Sequence, residues 1–114
     1  KTKSIMVLDF NKLQEEKVER FKGGEGYVLN RCFEDKDNKI VKSILPPNCS
    51  SGLHPHTNGC EILYMLKGSA IFSYDDKQER VFAGQVHYCP KGHKHSMLND
   101  TNENIEYFTI VVKE

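Results

Sequence analysis

Three histidines and one glutamate stand at spacings that could support chemistry. His54 and His56 flank a single proline, Glu61 follows after four residues, and His95 comes later in the chain. Histidine is the commonest metal ligand among side chains and also transfers protons near neutral pH. On a strand, residues i and i+2 project to the same face. His54 and His56 are therefore predicted to point together.

A turn can return the carboxylate to this histidine pair. The Asn58-Gly59 step is a strong turn signal, so the chain can bend between His56 and Glu61. His95 follows a PKG turn and lies on a later predicted strand. Three imidazoles and one carboxylate that converge from neighbouring strands suit a divalent transition metal with positions left for water or substrate. The alternative from the residues alone is a set of solvated loop histidines and a surface glutamate.

Further side chains near these motifs are candidates for acid–base chemistry. His87 and Tyr88 are consecutive on a strand, so alternation sends only one of them inward, as a general acid or as a wall residue. His93 could share the face of His95 and act as a proton shuttle, although it also fits an exposed turn. Tyr88 and His93 are therefore the candidates for catalytic residues.

Alternation also predicts which neutral side chains face inward. Leu63, Met65 and Met97 stand at even offsets from the predicted ligands and should point to the interior, as a pocket lining or as filled core. Cys60 immediately precedes Glu61 and should therefore face away from a metal.

Two-residue periodicity dominates the chain from the mid-twenties onward. Short β-branched and aromatic runs alternate with Gly, Pro, Asn and Asp, which indicates an antiparallel sandwich or barrel. The predicted strands are 27–33, 39–45, 61–74 as two strands broken at Lys67-Gly68, 80–90 as two strands bent at Gly84, 93–99 and 105–112. The glycine cluster 23–26 leads into a strand, so we interpret it as a tight turn and not as a phosphate loop.

The first twenty residues are less regular. Residues 5–8 are apolar and could form an edge strand. Phe10, Leu13, Val18 and Phe21 have a loosely helical spacing, so the alternative is a short N-terminal surface helix.

Length, charge and cysteine usage limit the classes of function. The 114 residues predict a single domain, 1–114, and the 16 basic residues balance 16 acidic ones, so no net charge would attract nucleic acid or anionic lipid. No apolar run could span a bilayer, and no signal segment opens the sequence. The 4 cysteines form no C-x-x-C pair. We therefore expect a cytoplasmic protein with reduced thiols and without nucleic-acid or membrane partners.

Two motifs of this sequence resemble those of the cupins. The first cupin motif has H-x-H, then three or four intervening residues before a glutamate, and a glycine beyond it, matched here by His54, His56, Glu61 and Gly68. The second motif, G-x5-P-x-G-x2-H-x3-N, is matched by Gly84, Pro90, Gly92, His95 and Asn99. Where the family has a glycine before the first histidine, this chain has Asn48, which tolerates the left-handed backbone of a turn.

The resemblance implies an all-β fold, the cupin double-stranded β-helix or jelly-roll barrel, with a metal in its mouth. It implies that His54, His56, Glu61 and His95 bind one divalent transition metal per chain, with manganese, iron, nickel or zinc as candidates. The remaining motif residues would serve turns and packing. A small-molecule ligand and a homodimer are expected by analogy with small cupins.

Three functions are open, because one fold hosts many reactions. The first is a metal-dependent enzyme of dioxygenase or isomerase/lyase type that acts on a small oxygenated metabolite. The second is a non-catalytic module that binds a sugar or carboxylic acid through the metal, and the third is a structural barrel without a substrate. No arginine stands near the motifs, which disfavours a phosphosugar epimerase.

Overall fold

The computed structural model describes residues 7–57 and 59–113, and most of these residues lie in antiparallel strands. The strands are β1 (Glu16–Glu19), β2 (Tyr27–Glu34), β3 (Asn38–Leu45), β4 (Ser50–Pro55), β5 (Gly59–Lys67), β6 (Ser69–Tyr74), β7 (Lys77–Phe82), β8 (Val86–Cys89), β9 (Lys94–Leu98) and β10 (Ile105–Lys113). Two short 3-10 helices, Phe10–Lys12 and Phe21–Gly23, precede β2. Within the described ranges, no helix has the length and apolarity needed to cross a membrane.

The strands form two sheets that face each other. One sheet has six strands in the order β1-β2-β3-β10-β5-β8, and the other has four in the order β4-β9-β6-β7. All the strands that the periodicity predicted are present. The structure also has β1 and β4, and β4 ends at Pro55, between His54 and His56. The all-β prediction is therefore confirmed.

The interior between the sheets is packed with apolar side chains. On β5, burial alternates along the strand, so that Leu63 and Met65 are at most 2% exposed while Tyr64 between them is exposed. Met97 on β9 is also buried, and Phe72 on β6 is 1% exposed. The predicted inward orientation of Leu63, Met65 and Met97 is confirmed, and these side chains belong to the hydrophobic core.

Turn positions of the two motifs adopt the left-handed backbone that the resemblance implies. Gly68, Gly84 and Gly92 have φ angles of 85°, 90° and 90°. Asn48, which replaces the family's glycine, has φ of 63°, so the asparagine does preserve this conformation. Gly26 also has a positive φ and ends a tight turn before β2, as predicted for the glycine cluster.

The N-terminal region corrects the helical interpretation of its apolar spacing. Among the described residues, Phe10 and Phe21 lie in two separate 3-10 turns, Phe10–Lys12 and Phe21–Gly23. Val18 lies between them on β1, where it pairs with Val28 and packs against the core. Pairing with β2 satisfies the backbone hydrogen bonds of β1. Four apolar residues in this charged stretch would give a helix too little buried surface to compete with that pairing. Of the predicted edge strand 5–8, residues 5 and 6 lie outside the described residues, and residues 7 and 8 are not in a strand.

Candidate metal centre

Strands β4, β5 and β9 bring the four predicted ligands together at one end of the barrel. His54 on β4 is the cross-strand partner of His95 on β9, and His56 follows the end of β4. Glu61 comes from β5 in the other sheet. One ligand atom from each of these four side chains lies within 4.8 Å of all the others. The predicted convergence is therefore present, although the turn residue Asn58 lies outside the described residues.

The distances between these donor atoms fit a single metal ion. His56 Nε2 lies 2.8 Å from Glu61 Oε1 and 2.9 Å from His95 Nε2. His95 Nε2 lies 3.2 Å from His54 Nε2 and 3.5 Å from Glu61 Oε2. Two donors about 2.1 Å from one ion would stand roughly 3.0–3.5 Å apart at right-angle or tetrahedral spacing. The donor set and its spacing therefore suit a divalent transition metal.

The hydrogen bond of the His54 ring also indicates that this histidine can bind a metal. Its Nδ1 lies 2.7 Å from the carbonyl oxygen of Gly52. A carbonyl only accepts, so Nδ1 donates this hydrogen bond and a neutral imidazole leaves a lone pair on Nε2. That lone pair faces the cluster, where Glu61 contributes acceptor oxygens as well. A cation at the centre would satisfy these converging acceptors.

Gly52 shows how the local sequence permits this anchor. A Cβ at Gly52 would lie 1.9 Å from the carbonyl oxygen of Lys22, so a side chain there would displace the second 3-10 helix. That helix packs beside β4 and places the Phe21 ring 6.2 Å from the His54 ring. The motifs did not identify Gly52, because its requirement comes from a segment thirty residues earlier in the chain.

His95 is anchored differently, by another side chain. Nε2 of His87 lies 3.0 Å from Nδ1 of His95, and His87 is 3% exposed on the inner face of β8. Alternation on β8 thus turns His87 inward and Tyr88 outward, a choice that the sequence had left open. No sequence pattern predicted a contact between His87 and a ligand.

Burial and hydrogen bonding shift the pKa values of the ligand side chains. It lowers the pKa of His95 to about 4 and also lowers the pKa of His54, so both imidazoles are neutral at pH 7, the form that binds a metal. Burial alone would raise the pKa of Glu61, but the hydrogen bond with His56 and the nearby histidines outweigh it and lower that pKa.

The structure does not bring the two catalytic candidates into the cluster. Tyr88 is 54% exposed on the outer face of the sheet. His93 lies at the rim, where its Nδ1 is 2.8 Å from Asp75 Oδ2 and its ring stacks on Tyr74 at 5.4 Å. Neither Asp75 nor Tyr74 belongs to a motif of the sequence, so their contacts with His93 were not predicted.

The cysteines are not part of the site. Cys60 is half-buried beside the inward-pointing Glu61, and it does not belong to the group of potential ligands among the described residues. Cys32, Cys49 and Cys89 are likewise free thiols. Burial raises the pKa of Cys89 to about 11, so this thiol stays protonated and unreactive at neutral pH.

A comparison with protein families identifies the fold. A model of the cupin domain matches residues 41–111, which contain both motifs. The chain belongs to the cupin family. The two antiparallel sheets and the family match together confirm the predicted cupin jelly roll.

Similar cupins include proteins associated with oxalate by name. The oxalate-binding protein of Thermotoga maritima is 28% identical to this cupin over 113 residues, with 94% of this chain and 93% of that protein covered. The crystal structure of a predicted oxalate decarboxylase from Thermotoga maritima has a TM-score of 0.90 at 28% identity, with 96% of this chain and 100% of that one covered. The polyketide cyclase RemF from Streptomyces resistomycificus has a TM-score of 0.80 at 19% identity, with 97% and 81% covered, and shares the fold alone.

Proposed function

We propose that this cupin binds one divalent transition metal through His54, His56, Glu61 and His95 and uses it to hold a small carboxylic acid. The observation that carries the proposal is the convergence of three Nε2 atoms and one carboxylate at 2.8–3.5 Å. A bound ion of manganese, iron, nickel or zinc would supply a Lewis acid for carboxylate oxygens. The side chains themselves hold the ion and keep neutral imidazoles directed at it.

The charge of the site favours an anionic ligand. Three neutral histidines and one carboxylate leave a divalent ion with one net positive charge. Lys22 adds a positive field that acts on His54 from the second 3-10 helix. The name of the Thermotoga relative, an oxalate-binding protein, suggests a short dicarboxylate as the ligand class for this chain too.

Binding is preferred over catalysis because few acid–base groups face the cluster. Among the described residues, His87 lies behind His95 and Tyr88 points outward, so neither can reach a ligand at the mouth of the barrel. Catalysis on a small oxygenated acid is the second candidate function. It is supported by the Asp75–His93 pair at the rim, where a carboxylate orients an imidazole that could move a proton.

The test begins with metal-free protein that is reloaded with Mn²⁺, Fe²⁺, Ni²⁺ or Zn²⁺ and titrated with oxalate in a calorimeter. We expect one metal per chain by elemental analysis, and oxalate binding only in loaded protein. His56→Ala should bind neither metal nor oxalate. Oxalate binding of equal affinity without metal, or no metal binding at all, would overturn the proposal. Consumption of oxalate over time by loaded protein, slowed by His93→Asn, would favour the enzyme.

We also propose a homodimer, supported by the outer face of β5 and β8. Tyr64, Leu66, Val86 and Tyr88 are 38–54% exposed there, and β8 is an edge strand of its sheet. Monomers rarely leave such neighbouring apolar side chains and a free strand edge uncovered. Light scattering during gel filtration should give twice the chain mass, and Tyr64→Lys combined with Tyr88→Lys should give the single mass. A monomeric wild type would refute the dimer.

A cytoplasmic location remains part of the proposal. The four free cysteines support a reducing compartment. Fractionation of the source cells with an antibody against the protein tests this location, and recovery from an oxidising compartment would contradict it.

A further inference from the structure

His87 is a buried imidazole outside the predicted ligand set. It lies on β8 with 3% of its surface exposed, and its ring is nearly parallel to that of His95, with 18° between the planes and 5.2 Å between the centroids. Its Nε2 is directed at Nδ1 of His95 at 3.0 Å. This contact is a hydrogen bond between the two rings, in which one nitrogen donates and the other accepts.

The direction of that hydrogen bond follows from the role of His95. Its Nε2 lies among the donors of His54, His56 and Glu61, so it is the nitrogen available to a metal. An imidazole that binds a metal through Nε2 bears its proton on Nδ1. That proton needs an acceptor, and His87 Nε2 is in position to provide it. Ligand histidines in general depend on such acceptors for the orientation and basicity of the ring.

His87 is itself held in place by aromatic neighbours. The ring of Phe72 lies 4.3 Å away by centroids and is tilted by 31°, and the ring of Tyr74 lies at 5.9 Å and 83°. The backbone of His87 pairs with Leu63 on β5, the strand that also bears Glu61. The acceptor therefore has little freedom to rotate away from His95.

We propose that His87 is a positioning residue of the metal centre, which accepts the Nδ1 proton of His95 and keeps His95 Nε2 directed at the metal. This inference rests on the proposed metal-binding function. It distinguishes His95 from His54, whose anchor is the backbone carbonyl of Gly52. Because this anchor is a side chain, a substitution of His87 would change the metal affinity of the site although His87 itself is not a ligand.

The first test compares Co²⁺ binding by wild type, His87→Leu and His87→Gln after removal of metal. We expect His87→Leu to bind Co²⁺ roughly 10- to 100-fold more weakly, the usual effect of losing a partner of a ligand. Its visible Co²⁺ absorption bands should also shift, because the His95 ring is no longer held. Glutamine offers an acceptor oxygen, so His87→Gln should restore most of the affinity.

Met97→Leu is the matched control, since Met97 is also buried inside the barrel but contacts the core and not a ligand nitrogen. It should keep the affinity and the absorption bands of the wild type. Wild-type affinity and bands in His87→Leu would overturn the role of His87 while leaving the proposed function intact. Failure of the wild type to bind Co²⁺, Zn²⁺ or Mn²⁺ would overturn both.

The second test needs no variant and covers the case in which His87→Leu does not fold. In ¹⁵N-labelled wild type loaded with Zn²⁺, a scalar coupling should connect His95 Nδ1 and His87 Nε2 through the shared proton. The Nδ1 proton should also exchange slowly with water. A rapidly exchanging proton without this coupling would overturn the proposal.

Discussion

Strand β9 connects two polar clusters that differ in how their hydrogen bonds are satisfied. His95, near its start, belongs to the metal centre, and Asn99 follows its end, about 13 Å away along the strand. Both residues are part of the same sequence motif. Both are almost completely buried.

At the Asn99 end, each polar atom of the side chain has protein partners. The amide nitrogen donates to the carbonyl oxygens of Leu45 and Glu103, each at 2.8 Å. The amide oxygen accepts from the backbone nitrogen of Thr101 at 3.0 Å and from its hydroxyl at 2.7 Å. This cluster is complete without any added group, so it serves the fold.

At the His95 end, acceptors face one another. The neutral nitrogen of His54 and the oxygens of Glu61 converge on the same small volume as His56 and His95. His56 Nε2 can donate to Glu61 Oε1, 2.8 Å away, and a cation would satisfy the remaining acceptors together. A cluster whose polar atoms are satisfied by the surrounding protein stabilises the barrel, whereas a cluster of converging ligand atoms is able to bind a cation.

The largest expected effect is on metal binding. His56→Ala and His95→Ala should each abolish stoichiometric metal content by elemental analysis, a loss greater than the roughly 10- to 100-fold that follows from changes outside the ligands. The fold should persist, because neither change opens the apolar core. Cys60→Ser is the control, since Cys60 faces away from the cluster, and it should retain full metal. Full metal content in both alanine variants would refute the ligand assignment.

Asn99→Ala should have the opposite profile, with a large loss of stability and unchanged metal affinity. The change removes the side-chain donor to the buried carbonyl oxygen of Leu45 and the side-chain acceptor of the Thr101 backbone nitrogen, and a buried group left without a partner costs about 1–3 kcal/mol. We expect the free energy of unfolding to fall by roughly 3 kcal/mol in urea titrations. Asn102→Ala, at an exposed position on the same turn, should change it by less than about 0.5 kcal/mol. If Asn99→Ala lowered the metal affinity as well as the stability, the proposed difference between the two clusters of β9 would be refuted.

A smaller effect should appear on acidification of metal-free protein. The pKa of His95 falls from its ordinary 6.5 to about 4 in the folded chain, because burial disfavours its charged form. Between these values the unfolded chain binds a proton that the folded chain does not, so the free energy of unfolding decreases as pH falls, by up to about 1.4 kcal/mol per unit. Burial of His54 and His87 acts in the same direction.

Urea unfolding of chelator-treated protein between pH 7 and 4.5 measures this slope. His95→Gln removes one of the titrating groups and should reduce the slope. An unchanged slope in that variant would show that His95 is not the source of the acid sensitivity.

Much of the fold was predictable because local patterns on a half-buried sheet repeat every two residues. The alternation around Leu63 and Met65 correctly predicted which side chains of β5 point inward, and the turn glycines correctly predicted where strands end. The same local patterns did not predict the N-terminal strand β1. Val18 is one apolar residue in a short charged strand, and its pairing with Val28 depends on a neighbour that no local pattern reveals.

The sequence alone determined the donor types, their spacing and the strand faces that carry them, because these properties follow from residue identity and from the period of a strand. Only the tertiary structure decided which groups stand behind the donors. His87 instead of Tyr88 turns inward to meet His95, and Gly52 leaves room for a helix from another part of the chain while its carbonyl holds His54. Such contacts join segments far apart in sequence, and their geometry depends on how the two sheets pack against each other.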